Sequence, residues 1–293
     1  MFSNLPKNST RPVFILGSGR SGTQAIQKIL SDIPHIEAHH EYLFTNLLKY
    51  TVLYAMHKLS ERDMIEKLQE THESAVYYCD KEFFVDSSNI LSFLVKPLEK
   101  IFPDAVYIHL VRDGRNVVSS FFHKLGKEMY PPEAIAVLQQ WLQSPDDFPS
   151  PPPEKKYWRE LPEFVSSNDS DLYNTVVSYG EREKEQFSRI CYHWKATNMV
   201  AYYDLQSIPS ERKYFFKLEN LSENPEEFER FLGIFHIPFT EGLFHLFQRP
   251  HNVVFPKQIA LTDEQDKIFR SVCASTMLRL GYSLDSEAPH VDY

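Results

Sequence analysis

A glycine-rich stretch between residues 13 and 24 has the residue types of an anion-binding loop. Residues 13–16 are apolar, as in a short buried strand, and residues 24–30 have the spacing of an amphipathic helix. A loop between a strand and a helix directs backbone N–H groups at an anion, and the helix dipole adds to their positive field. The sequence therefore predicts a phosphate-binding loop, with candidate ligands at Gly19, Arg20, Ser21, Gly22, Thr23 and Gln24.

This loop departs from an ATP-binding loop at one position. Gly17 and Gly22 have the spacing of such a loop, but Thr23 stands where the lysine would be. The nearest cation is Arg20, inside the loop. The pattern favours phosphate binding and disfavours ordinary ATP hydrolysis.

Charged residues also follow a second apolar run further along the chain. Arg112 closes the predicted strand there, and Ser120 lies about two turns into the helix that follows. In an open α/β sheet the carboxyl ends of the strands form the ligand crevice, so both side chains are predicted to face it. The alternative is a structural ion pair of Arg112 with Asp113 or Asp86, a role that suits Arg115 better.

Residues 33–42 predict a proline turn followed by a short second strand, and three polar residues, His39, His40 and Glu41, come near the end of that strand. The same topological rule places them near the ligand edge of the sheet. An imidazole or a carboxylate at that edge has the chemistry of a general base. The alternative for Glu41 is a helix N-cap or first-turn acid, because a predicted helix follows it.

Strands alternate with helices along the whole chain. Further strands are predicted at residues 82–86 and 214–218, and further helices at residues 44–72, 90–101, 181–203 and 262–280. This order predicts an α/β fold of P-loop type, with three layers and a central, mostly parallel sheet flanked by helices. We expect one domain over residues 1–293, in which the proline-rich residues 126–180 form an insertion over the site.

Composition excludes several classes of protein. The chain has 293 residues, 42% of them hydrophobic, and a net charge of −9, which disfavours non-specific binding to nucleic acid. No apolar run is long enough to cross a membrane, and the polar first eleven residues do not have the pattern of a signal peptide. Three widely separated cysteines indicate reduced thiols, so a cytoplasmic protein is predicted.

Several blocks, in this order, resemble the sulfotransferase family, whose members transfer a sulfuryl group from 3′-phosphoadenosine 5′-phosphosulfate (PAPS). Residues 17–23 are similar to the family's 5′-phosphosulfate loop. Residues 111–120 are similar to its 3′-phosphate motif, with Arg and Ser eight positions apart. Later matches lie at residues 216–221, 224–225, 231–233 and 261–282.

The resemblance implies roles for the candidate residues. The N–H groups of residues 21–23, the Arg20 guanidinium and the Thr23 hydroxyl would hold the 5′-phosphosulfate, and Arg112 and Ser120 would hold the 3′-phosphate. Arg20 stands where many members have a lysine, as in the bacterial and carbohydrate branches. Those branches tend to use a carboxylate as the base, so Glu41 is the predicted base and His40 the second choice. The chemistry requires no metal.

The function predicted from the resemblance is sulfuryl transfer from PAPS to an acceptor, with 3′-phosphoadenosine 5′-phosphate (PAP) as the product. The acceptor is expected to be a hydroxyl, or less often an amine, of a small molecule, lipid or carbohydrate, and the insertion at residues 126–180 would shape its site. Two other functions remain open at this stage. One is a P-loop kinase or nucleotide hydrolase, which the missing lysine disfavours, and the other is a non-catalytic nucleotide-binding protein.

Overall fold

A single sheet of five parallel strands forms the centre of the computed structural model, which describes residues 9–55, 57–125, 182–249 and 260–285. The strand order is β2-β3-β1-β4-β5, and every neighbouring pair is parallel. The strands are β1 Arg11–Leu16, β2 Ile36–His40, β3 Phe83–Ser87, β4 Val106–Val111 and β5 Lys213–Lys217. The predicted fold class, an α/β fold with a parallel sheet flanked by helices, is confirmed.

Helices lie between consecutive strands and after β5. They are α1 Thr23–Ser31, α2 Phe44–Ala55, α3 Glu61–Leu68, α4 Ser74–Tyr78, α5 Val95–Ile101, α6 Gly114–Leu125, α7 Arg182–Asp204, α8 Leu218–Glu223, α9 Pro225–Gly233, α10 Glu241–Gln248 and α11 Asp263–Arg279. A π-helical turn, Gln69–Glu73, joins α3 to α4, and a 3-10 turn, Asn89–Phe93, precedes α5.

Helices cover both faces of the sheet because its central strands are apolar on both faces. Val13 and Ile15 of β1 pack in one hydrophobic cluster with α1, α8, α9 and α10. Phe14 and Leu16 point the other way, into a cluster with α2, α3, α5, α6, α7 and α11. All four side chains are fully buried. The structure therefore has three layers.

The order of the strands places a crevice between β1 and β4. These two strands are neighbours, yet α1, which follows β1, packs on one face, whereas α6, which follows β4, packs on the other. The connections diverge at this point, so the loops at the carboxyl ends of β1 and β4 border an open crevice. Both loops predicted to bind anions lie there.

The predicted helix over residues 44–72 was wrong as one continuous element. α2 ends at Ala55, and α3 begins after Ser60, whose hydroxyl accepts a hydrogen bond from the N–H of Asp63 at 3.1 Å. Ser60 is thus an N-cap that the run of apolar residues concealed. The predicted helix at 90–101 likewise divides into the 3-10 turn and α5.

Other details agree with the sequence. Thr262 and Gln265 form a capping box at the start of α11, and Gly281 follows that helix with a left-handed φ of 76°. His109 of β4 is a buried core histidine that bonds Asn198, and burial lowers its pKa to about 4. In the part of the chain described, no helix is long and apolar enough to cross a membrane. The predicted insertion at 126–180 lies outside the described residues.

Candidate functional site

The loop after β1 is tightly folded against neighbouring backbone. A Cβ atom at Gly17 would lie 2.4 Å from the carbonyl oxygen of Leu110 in β4. Gly22 has φ 97°, and a Cβ there would meet a methyl group of Leu218 at 2.6 Å. Arg20 also adopts a left-handed φ of 67°. Glycine is therefore required at both ends of the loop, and the chain turns sharply between them.

The loop leads directly into the N-terminus of α1. The N-cap position is Gly22, which has no side chain, and the N–H groups of Ala25 and Ile26 donate to its carbonyl oxygen. Thr23 and Gln24 are the first two residues of α1, and their N–H groups lie before the first N–H group that donates within the helix. A helix start without a capping side chain, next to a cation in the loop, has the composition of an anion site.

Arg20, Arg112 and Ser120 come together at this crevice. Nε of Arg20 donates to Oγ of Ser120 at 3.0 Å, and Nη1 of Arg112 donates to the carbonyl oxygen of Arg20 at 3.2 Å. The predicted 3′-phosphate residues thus contact the predicted 5′-phosphosulfate loop directly. Arg112 is buried and Ser120 is half-buried. Two arginines and a hydroxyl linked by these two hydrogen bonds favour a ligand with more than one negative charge.

The backbone of Arg112 is fixed by its surroundings. Its carbonyl oxygen accepts a hydrogen bond from Nε1 of Trp194 at 3.3 Å, and the N–H of Asp113 donates to Glu219 at 2.8 Å. Asp113 caps α6 through the N–H of Arg115, whose guanidinium also contacts that carboxylate at 2.6 Å. Arg115 thus has the structural ion pair expected for it.

His40 and Glu41 lie at the carboxyl end of β2. Nδ1 of His40 donates to the carbonyl oxygen of Ser87 at 2.8 Å, and Nε2 lies 3.8 Å from Oε1 of Glu41. A carbonyl oxygen only accepts, so Nδ1 carries a proton and Nε2 faces the carboxylate. Glu41 lies before α2, not in its first turn, and has a left-handed φ of 60°. Both side chains are half-buried, so each remains accessible to a substrate.

His39 points away from this pair. Its Nε2 contacts Oε1 of Glu37 at 2.9 Å, and its ring packs against Tyr42 and Phe84. Alternate residues of a strand face opposite sides of the sheet, which separates His39 from His40. Among the described residues, no group of three His, Cys, Asp or Glu side chains has the arrangement of a metal site.

The segment that contains these residues is similar to a known protein family. Residues 12–148 match the model of the sulfotransferase family, and all the candidate residues above, from Gly19 to Ser120, lie within that segment. This match, over slightly less than half of the chain, makes the segment that holds the candidate site similar to the sulfotransferase family. A search of curated proteins by sequence found no match.

A solved sulfotransferase structure shares the fold. The sulfotransferase STF9 from Mycobacterium avium superposes with a TM-score of 0.51 at 13% identity, over 95% of this chain and 79% of that one. The sulfotransferase domain from the curacin biosynthetic pathway gives a TM-score of 0.46 at 15% identity, over 96% of each chain. At these identities the likeness to STF9 shows a common fold and nothing finer.

Sequence reasoning missed Glu219, a buried carboxylate behind the arginine cluster of this sulfotransferase fold. It accepts hydrogen bonds from the N–H of Asp113 and, at 3.0 Å, from the hydroxyl of Tyr282. Burial raises the pKa of Glu219, whereas these bonds and the charge of Arg112 lower it. Glu219 lies in residues 216–221, which resemble a block of the sulfotransferase family, and this resemblance is the sequence feature that could have identified it. Arg249 is exposed at the end of α10, and Lys257 lies outside the described residues.

Sequence reasoning also missed a buried pair formed by Asp86 and His72, whose Oδ2 and Nε2 atoms lie 3.1 Å apart. The sequence allows an ion pair of Asp86 with Arg112. Asp86 is instead fully buried and bonds His72 and the N–H of Tyr42.

The close approach of the loop to β4 gives the first prediction. Gly17→Ala should lower the free energy of unfolding by about 1–3 kcal/mol, because the new Cβ meets a backbone oxygen that has no freedom to rotate away. Gly233→Ala is the matched control, since a Cβ there meets nothing within 4 Å, and its effect should stay within about 0.5 kcal/mol. Urea unfolding of both variants measures the difference. Equal stability of the two would contradict the described loop.

Proposed function

We propose that this protein is a PAPS-dependent sulfotransferase acting on a hydroxyl, or less often an amine, of a small molecule, lipid or carbohydrate. The observation that carries the proposal is the contact of Arg20, Arg112 and Ser120 beside the N-terminus of α1. PAPS has anionic groups at both ends, and this cluster combines two cations, a hydroxyl and helix N–H groups. The loop has Thr23 at the position where the loops of ATP-binding proteins have a lysine, and this difference disfavours ATP as the ligand.

The residues present fit such a donor. The N–H groups of residues 21–23, with the Arg20 guanidinium and the Thr23 hydroxyl, would hold its 5′-phosphosulfate. The guanidinium of Arg112 and the hydroxyl of Ser120 would hold its 3′-phosphate. The bound donor supplies the sulfuryl group for an in-line displacement. Arg20 stabilises the negative charge that develops on the leaving phosphate but does not readily give up a proton.

Glu41 is proposed as the general base that takes the proton of the acceptor hydroxyl. It lies at the same edge of the sheet as the loop, and its half-buried carboxylate is accessible. His40 is the second candidate, because its Nδ1 is held by Ser87 and its Nε2 lies beside the Glu41 carboxylate. Either group removes the proton as the oxygen attacks, which is worth about 10²- to 10⁴-fold in rate.

Other expectations stay predictions. They are one domain over residues 1–293, an acceptor site shaped by residues 126–180, no nucleic-acid partner and a cytoplasmic location.

If Arg112 binds the 3′-phosphate, its removal should weaken the binding only of nucleotides that carry this group. Arg112→Ala should weaken binding of PAP about 10- to 100-fold, equivalent to ~1.5–3 kcal/mol, because a charge-assisted contact is lost. Binding of adenosine 5′-phosphate, which lacks the 3′-phosphate, should change by less than about threefold. Calorimetry measures both, and Arg62→Ala, at a side chain 86% exposed on α3, is the control. An equal loss for both nucleotides would remove Arg112 from the 3′-phosphate site.

The role of Glu41 predicts a loss of turnover without a loss of donor binding. Glu41→Gln keeps the shape of the side chain but removes the proton acceptor, so kcat should fall at least about 100-fold. PAP affinity should stay within about twofold. Turnover is followed as PAP released from PAPS, with an acceptor found in a screen of alcohols, phenols and sugars.

Glu37→Gln is the matched control for this experiment, because Glu37 lies on the same strand and bonds His39 on its other face. Full turnover by Glu41→Gln would refute the assignment. A loss confined to His40→Gln would then identify His40 as the base.

A further inference from the structure

A polar pair lies inside the hydrophobic layer on one face of the sheet. Asp86 lies one residue before the end of β3, His72 belongs to the π-helical turn, and neither side chain is exposed. The His72 ring packs against Phe14 and Phe84, with ring centroids 6.2 and 6.5 Å away. Burying a hydrogen-bonded pair of this kind adds little stability compared with apolar side chains of similar volume. Stability alone does not explain the pair.

Hydrogen bonds on both sides of the ring hold His72 in place. The hydroxyl of Thr71 donates to the carbonyl oxygen of Lys67 at 2.9 Å, so its oxygen accepts from Nδ1 of His72 at 3.1 Å. The other nitrogen, Nε2, faces the Asp86 carboxylate. Both ring nitrogens therefore have a hydrogen-bond partner, and the ring is held in one orientation against Asp86. The π-helical turn, a feature often found at functional sites, brings the ring to this position.

The second oxygen of Asp86 holds the turn that carries Glu41. Oδ1 accepts a hydrogen bond from the N–H of Tyr42 at 3.2 Å. Tyr42 lies between two residues with left-handed backbones, Glu41 with φ 60° and Leu43 with φ 45°. Such conformations are costly for side chains of this size and persist only when the surroundings impose them.

The ring of Tyr42 is held by the same pair. It meets the His72 ring edge-on at 5.3 Å and the Phe84 ring at 5.5 Å. The adjacent residue of β3, Ser87, accepts the N–H of Glu41 at 3.2 Å through its carbonyl oxygen. The end of β3 thus holds consecutive N–H groups of the turn, and the Asp86 carboxylate is its side-chain anchor.

We propose that the buried Asp86–His72 pair positions Glu41 for proton transfer by holding the strained turn at residues 41–43. The inference rests on the proposed function, since it assigns the pair to the base of that reaction. Asp86 orients the turn through the N–H of Tyr42. His72 orients the Asp86 carboxylate and supports the Tyr42 ring. Neither is a catalytic residue, because each acts through Glu41.

The experiment replaces the pair by apolar side chains, in the double variant Asp86→Val/His72→Phe. Removing both partners leaves no unpaired buried charge, so this variant should fold with nearly unchanged stability. It removes the acceptor for the N–H of Tyr42, however. Asp86→Asn is the matched control, because its amide oxygen still accepts from the N–H of Tyr42 and its NH₂ group still faces the His72 ring.

Three readouts on the full chain test the proposal. Amide hydrogen exchange at Tyr42 should become at least about tenfold faster in the apolar variant and stay near the native rate in Asp86→Asn. The kcat for PAP release from PAPS should fall at least about tenfold in the apolar variant alone, with PAP affinity within about twofold of the native value. In a Glu41→Gln background, the apolar variant should lower kcat no further.

The outcomes separate the proposal from the function on which it rests. A folded apolar variant with native exchange at Tyr42, or with native kcat, would overturn the proposal, as would an equal loss of kcat in both backgrounds. If Glu41→Gln alone retains full turnover, the base assignment fails, whereas exchange at Tyr42 still reports whether the pair holds the turn.

Discussion

Parallel strands bring the loops of the candidate site to one edge of the sheet. The loop after β1, the turn after β2, the Asp86–Ser87 end of β3 and the start of α6 after β4 all emerge there. The hydrogen bond from Arg112 to the carbonyl oxygen of Arg20 is possible only because β1 and β4 are neighbours. The close approach at Gly17 keeps the two loops at contact distance.

The groups that meet at this edge are positive, whereas the net charge of the whole chain is negative. The protein carries a net charge of −9, yet two arginines and a helix N-terminus meet in the crevice. The acidic groups next to them are occupied, since Asp113 contacts Arg115 and Glu219 accepts bonds from Asp113 and Tyr282.

The residues that could be predicted from the sequence are those with local signals. Glycine spacing between an apolar strand and a helix predicts the loop, and Arg112 and Ser120 follow from the same pattern in the next unit. The contact of Arg20 with Ser120 joins residues a hundred positions apart, and no local pattern specifies it. The pair of Asp86 and His72 was missed for a related reason. Its histidine lies in a π-helical turn that looked like the interior of a helix.

A different physical limit explains the break in the predicted helix at residues 44–72. Apolar residues recur at helical spacing across the break, so periodicity alone indicates one helix. The N-cap at Ser60 ends that run through one hydrogen bond to a backbone N–H. The left-handed turn at Glu41 is equally invisible to periodicity, because tertiary contacts with β3 impose it.

The claim on which the rest depends is that the crevice takes a nucleotide with anionic groups at both ends. Isothermal titration calorimetry of the full chain with PAP and with ATP, under identical buffer and salt, tests it most directly. We expect PAP to bind at least about tenfold more tightly than ATP, a difference of ~1.4 kcal/mol or more. Tighter binding of ATP would contradict the proposed donor and favour a kinase or nucleotide hydrolase.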